Sequence, residues 1–138
     1  MHIINVFIIF ATIKCIIDVL HAKMITRIED VERFLKELHQ KMKFFDVIIL
    51  RDRAKNLETM LELELSNISV REHLNDLKPT DYYKGPTKDD FNGHDLWEFG
   101  KSIKNKEVYI KITIGKINKP AICISFHFPE RKIIYPFI

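Results

Sequence analysis

Two stretches near the C-terminus, Glu107-Val-Tyr-Ile-Lys-Ile-Thr-Ile114 and Ala121-Ile-Cys-Ile-Ser-Phe-His-Phe128, decide the fold of this chain. Successive side chains of a β-strand point to opposite faces. The first stretch then sends Val108, Ile110, Ile112 and Ile114 to one face and Glu107, Tyr109, Lys111 and Thr113 to the other. The second divides the same way, with Ile122, Ile124, Phe126 and Phe128 inward and Ala121, Cys123, Ser125 and His127 outward. The connection Gly115-Lys-Ile-Asn-Lys-Pro120 makes them a hairpin whose opposed residue numbers sum to about 236 or 234. The first register sets Tyr109 opposite His127 and Lys111 opposite Ser125, and the second sets Tyr109 opposite Ser125. Either one gathers Tyr109, Lys111, Ser125 and His127 on one open polar face.

Upstream, Asp95-Leu-Trp-Glu-Phe99 alternates so that Trp97 and Phe99 face the core and Glu98 joins the polar set, although Gly100 is able to bulge the strand. A turn-rich connection from Tyr82 to His94 holds Gly85-Pro86 and Asn92-Gly93. Before it the pattern is helical. Thr26-Arg-Ile-Glu29 has the form of a capping box, and Ile28, Val31, Phe34, Leu35, Leu38 and Met42 follow at helical spacing to about Lys43. Phe44 to Leu50 is an apolar run with β-branched residues, which predicts a buried strand. Ala54 to about Leu63 reads as a helix or part strand, and Ser69-Val-Arg-Glu72 opens a short helix that Pro79 ends. Helices first and an antiparallel sheet afterwards predict an α+β fold, with N-terminal helices packed on the sheet.

At 138 residues the chain has the length of one domain, with 46% hydrophobic and 30% charged residues, an ordinary globular composition. Four glycines leave no Gly-rich phosphate loop. The net charge is +3, unevenly spread: residues 1–77 carry a net −1 and residues 78–138 a net +4. The basic excess shares its half with the polar sheet face, a modest footprint for a polyanion or a plain solvated surface. Cys15 and Cys123 stand apart, and no Cys/His spacing suits a tetrahedral metal site. This predicts a reducing compartment, no metal and no cofactor. Residues 1–23 are an apolar extension ahead of a domain at 24–138. Asn5, Lys14 and Asp18 interrupt the extension, and no good cleavage site follows. It reads as upstream sequence included by a mis-assigned start codon ahead of Met24, as a membrane anchor or export signal, or as a helix of the fold.

The polar face carries what cleavage of RNA through its 2′-hydroxyl requires. A base must take the hydroxyl proton, a donor must steady the phosphorane, and an acid must protonate the leaving 5′-oxygen. Imidazole, with an unperturbed pKa of about 6.5, suits both acid and base roles, which singles out His127. Lys84 and Lys111 offer fixed positive charge, Tyr109 a phosphate donor or stacking surface, and Glu98 an alternative base. The bland alternative is that a cross-strand Tyr–His pair is packing and Lys111 a solvated side chain.

At these residues the chain resembles the MqsR (motility quorum-sensing regulator) toxin family. Asp81-Tyr-Tyr-Lys84, His94-Asp-Leu-Trp-Glu98, Val108-Tyr-Ile-Lys-Ile-Thr113 and Ile122-Cys-Ile-Ser-Phe-His127 occur in that family's order and at similar spacing, over the C-terminal half. The resemblance implies a RelE-like small ribonuclease toxin fold and cytoplasmic endoribonuclease activity on mRNA. It also implies neutralisation by an antitoxin, a helix-turn-helix DNA-binding protein. The family's catalytic positions fall on Lys84, Glu98, Tyr109 and His127. Glu98 replaces a glutamine and His127 a lysine, so two of those four positions differ in chemistry from the family. Lys111, Ser125 and Lys101 are the substrate-binding candidates. Pro129 to Phe137, beyond the last motif, is placed to cover the site or meet a partner. A non-catalytic RNA- or protein-binding module is the rival reading, tethered to a membrane if residues 1–23 are retained.

Overall fold

The computed structural model describes residues 9, 12, 13, 25–89 and 93–138. The expectations for the segment 1–23 therefore lie almost wholly outside the described residues. Among the described residues, no helix is long and apolar enough to cross a membrane.

The elements are α1 (Ile28–Phe45), β1 (Val47–Ile49), α2 (Ala54–Glu62), α3 (Asn67–Asn75), a 3-10 turn at Pro79–Asp81, β2 (Tyr82–Lys88), β3 (Asp95–Ile103), β4 (Lys106–Thr113) and β5 (Ala121–His127). The five strands form one sheet in the order β1-β5-β4-β3-β2. The class is α+β as expected, but the sheet is mixed. β2 to β5 run antiparallel to their neighbours, whereas β1 lies parallel to β5.

α1 forms because its apolar residues recur on one stripe. Val31, Phe34, Leu35, Leu38 and Met42 are all buried. Its cap is one residue later than expected: Arg27 is the N-cap and its N–H donates to Asp30 Oδ2 at 3.0 Å. Thr26 instead donates its hydroxyl to Gly85 O at 2.6 Å, tying the helix entry to β2. Phe34 stacks on Trp97 at 4.5 Å and on Phe99 at 5.9 Å between centroids. Ring pairs of this kind add about 1 kcal/mol to simple burial. This stack seats α1 on the inner face of β3, and it confirms Trp97 and Phe99 as core residues.

Three other readings need correction. Phe44 and Phe45 belong to the exposed end of α1, not to a strand, and β1 is a three-residue edge in which Val47 alone is buried. Asp46, with φ 69°, turns the chain between them. α3 is capped by Ser66, whose hydroxyl accepts from Ser69 N–H at 3.2 Å, so the helix starts earlier than the Ser69 capping pattern suggests. Tyr82–Lys88 is a strand rather than a connection. It tolerates Pro86 because it is the sheet's edge, where an N–H can be missing without breaking a ladder. Gly85 is required there: its φ is +115°, and a Cβ would stand 2.6 Å from Leu96 O.

The hairpin register decides the positions of the site residues. Tyr109 lies opposite His127 and Lys111 opposite Ser125, so the 236 register holds at this end. Between Lys111 and Ile112 the register shifts, and Ile112 then faces Cys123 and Thr113 faces Ile122. One residue, Ile124, is extra on β5, a β-bulge. It flips everything before it, so Ala121 and Cys123 lie in the core while Ile122 and Ile124 are half-exposed, the reverse of strict alternation. Burial pushes the Cys123 thiol up to about 12.

Asn56 holds the bulge in place. Fully buried at the start of α2, it accepts from Phe126 N–H at 2.9 Å and donates to Ile124 O at 3.0 Å and Leu50 O at 2.9 Å. Thr59 Oγ1 accepts from Phe128 N–H at 3.3 Å. These side chains replace the strand partner that β5 loses where short β1 ends, and buried backbone groups need such partners.

Candidate functional site

The outer face of the sheet, away from the helices, brings six of the seven expected residues together. In one row, Lys84 pairs with Glu98, Glu98 with Lys111 and Lys111 with Ser125, crossing four strands. In the next row, Gly100 pairs with Tyr109 and Tyr109 with His127. Opposed residues in such rows have Cα atoms about 4.5–5.5 Å apart. Together with Tyr83 and residues from the C-terminal segment, they line a cleft of about 300 Å³. Lys84, expected on a turn, reaches the group because β2 continues the sheet at this point.

The remaining candidate, Lys101, is elsewhere. It lies opposite Val108 on the helix face, where its ammonium meets Asp76 Oδ2 at 2.6 Å beside the end of α3. Its parity explains this: Phe99 and Lys101 are two apart on one strand and share a face.

Glu98 points to the outer face as its parity requires, yet it is 6% exposed. Tyr109 donates its hydroxyl to Glu98 Oε1, and the Lys84 ammonium is 4.0 Å from the same oxygen. Burial first, then the hydrogen bond to Glu98, drives the Tyr109 pKa well above the usual phenol value. Tyr109 is therefore a permanent neutral donor. Its ring tilts over that of His127 at 5.3 Å.

The His127 ring is oriented by its own backbone. Nδ1 lies 2.9 Å from the carbonyl oxygen of Phe128. A carbonyl can only accept, so Nδ1 carries the proton and the neutral ring offers its lone pair at Nε2. The Phe128 N–H is in turn held by Thr59, so α2 indirectly fixes the imidazole. The arrangement lines one cleft with an imidazole, a neutral hydroxyl donor at Tyr109 and ammonium groups at Lys111 and Lys84.

Five further residues line the cleft, Tyr83, Pro129, Glu130, Arg131 and Ile133; sequence reasoning placed the segment 129–137 to cover the site or meet a partner but singled out none of these side chains. Tyr83 escaped because the register shift between Tyr82 and Lys84 puts two successive residues to use. Glu130 and Arg131 lie in an irregular segment that has no periodicity to read. Among the described residues, no three His, Cys, Asp or Glu side chains gather as a metal-ligand set. A larger cavity, about 600 Å³, lies between the start of α1 and the β2–β3 end, near Asp30, Arg33, His94 and Trp97. It contains none of the seven candidates.

No curated protein and no solved structure matches the chain. Residues 33–128 match the family described as "Motility quorum-sensing regulator, toxin of MqsA". The match runs from within α1 through β5 and includes every residue of the two cross-strand rows. The chain belongs to the MqsR toxin family.

Proposed function

We propose that this protein is the toxin of a toxin–antitoxin pair and acts in the cytoplasm as an endoribonuclease on mRNA, restrained by a cognate antitoxin of the MqsA kind. The observation that carries the reading is the row Gly100·Tyr109·His127 beside the row Lys84·Glu98·Lys111·Ser125, with a neutral-donor tyrosine and a cleft-lining histidine whose Nδ1 is held by the Phe128 carbonyl.

The reaction needs no group outside these rows. His127 Nε2 takes the proton of a ribose 2′-hydroxyl as the 2′-oxygen attacks the adjacent phosphorus. The Lys111 ammonium, and the Tyr109 hydroxyl once it turns from Glu98 to the phosphate, hold the non-bridging oxygens while negative charge builds there. The P–O5′ bond then breaks. The leaving oxygen takes a proton from the Lys84 ammonium on the far side of the phosphorus, as in-line displacement requires. The products are a 2′,3′-cyclic phosphate and a 5′-hydroxyl; solvent then takes the extra proton from His127 and returns one to Lys84. Glu98 keeps Tyr109 and Lys84 in position, and Ser125 completes the cleft floor next to Lys111.

One observation favours a second reading, RNA binding without cleavage: the Tyr109 proton is already committed to Glu98. Induced expression with transcript mapping separates the two. Growth arrest and new mRNA 5′ ends in the wild type, absent in His127→Ala, support the nuclease. Intact transcripts in the wild type would sink it.

A further inference from the structure

The segment 129–138 lies beyond the residues that match the family, yet it does not leave the sheet. Glu130 pairs with Lys55 on α2. Ile133 is buried, Tyr135 donates its hydroxyl to Glu107 Oε2 at 2.8 Å, and Phe137 stacks on Tyr82 at 5.3 Å. The segment thus runs from β5 past Glu107 on β4 and Gly100 on β3, and its Phe137 joins the core aromatics at the start of β2. Gly100 permits this approach, since a Cβ there would stand 2.7 Å from Ile133 Cδ1 and collide with the Tyr135 hydroxyl. Gly100 is the cross-strand neighbour of Tyr109, so the strap lies directly beside the candidate site.

The strap builds a second wall of the cleft from Pro129, Glu130, Arg131 and Ile133. Of these, Glu130 is engaged by Lys55, while Arg131 is exposed and no carboxylate among the described residues lies within ion-pair distance of it. A guanidinium lining the same cleft as Lys111 has the fork geometry that binds phosphate oxygens in pairs.

We propose that residues 129–138 are a fixed strap whose role is to present Arg131 as an additional substrate-binding residue, holding a phosphate of the RNA strand against the sheet. This rests on the RNA reading above. The strap is built rather than draped: four separate anchors hold it, on α2, β3, β4 and β2. It adds a cation that neither the strand pattern nor the family match supplies.

The test uses the full chain and a single-stranded RNA with 2′-O-methyl ribose throughout, which cannot be cleaved, titrated across a salt series. Arg131→Gln is expected to weaken binding several-fold and to reduce the slope of log K against log salt by about 0.7, one phosphate contact on a single strand. Arg131→Lys should restore the slope with only part of the affinity. Gly100→Ala, which lifts Ile133 and Tyr135 from β3, should weaken binding in the same direction. On cleavable RNA, Arg131→Gln should raise KM and leave kcat unchanged. A wild type that binds RNA, with Arg131→Gln equal to it in affinity and slope, overturns the proposal alone. Tighter binding by Arg131→Gln or Gly100→Ala also overturns it, because the strap would then obstruct the cleft. A wild type that neither binds nor cleaves RNA overturns the RNA reading itself.

Discussion

β4 and β5 lie side by side and have the same amphipathic look, yet one alternation rule describes β4 from Glu107 to Ile112 and fails in the middle of β5. In β4, Val108, Ile110 and Ile112 are fully buried and Tyr109 and Lys111 face the cleft. In β5, Ser125 and His127 face the cleft as alternation requires, but Ala121 and Cys123 have gone to the core. The difference is one inserted residue, and its cause lies far away in sequence. Asn56 pairs with the backbone groups that the bulge leaves open, so a polar side chain on a helix overrides the local apolar pattern. A strand's own residues report its faces only while its backbone is paired throughout.

The functional side of this comparison predicts the largest effect. His127→Ala on β5 should lower RNA cleavage by about 10²–10⁴-fold, or roughly 3–5 kcal/mol of barrier. Urea unfolding should change little, because the ring packs on an open face. Tyr109→Phe on β4 should weaken cleavage less, as it removes one donor and leaves Lys111. A Tyr109→Phe defect larger than that of His127→Ala would reverse the assignment of base and donor.

Asn56→Ala attacks the bulge itself. One buried and two part-buried backbone groups lose their partner, at about 1–3 kcal/mol for a buried unsatisfied group and less where water can reach, so a net loss near 3 kcal/mol is expected in denaturant titration. Cleavage should fall too, since α2 no longer fixes the β5 end that carries His127. If stability is retained, Asn56 is not what holds the bulge.

The two faces of β5 can be compared directly. Cys123→Asn places an amide in the core and should cost about 3 kcal/mol, whereas Ile124→Asn on the half-exposed bulge should cost under about 1 kcal/mol. Strict alternation demands the opposite ranking, so one pair of melting curves decides between them. In a Cys15→Ser background the Cys123 thiol, pushed up to about 12 by burial, should resist alkylation until the protein unfolds.

The smallest effect is alkaline. Burial holds Tyr82, Tyr109 and Tyr135 above the usual tyrosine value, helped at Tyr109 and Tyr135 by hydrogen bonds to Glu98 and Glu107. A folded pKa above the unfolded one gives stability that is complete below the unfolded value, about 10, and is lost as pH rises past it. Stability should therefore be flat to about pH 9.5 and fall above it, less steeply in Tyr135→Phe.

Much of this was legible in the chain. The hairpin, its 236 register at the site end, the inward Trp97 and Phe99, the outward Glu98 and the α1 stripe all follow from periodicity. Lys101 was equally legible, since its parity with Phe99 assigns it to the helix face. What escaped reading depends on contacts distant in sequence: the Asn56 clamp, the continuation of β2 through Gly85-Pro86, and the seating of Ile133 and Tyr135 over Gly100 that brings Arg131 to the cleft. The apolar run at Phe44 misled because a helix end and an edge strand share it.

The most direct measurement is the chemistry of the cut ends. Purified full-length protein is incubated with a defined RNA in the presence of a chelator, and the products are analysed for their termini. The account predicts 2′,3′-cyclic phosphate and 5′-hydroxyl ends from the wild type and about 10²–10⁴-fold less product from His127→Ala. Ends carrying 3′-hydroxyl and 5′-phosphate, or equal product from His127→Ala, would contradict it.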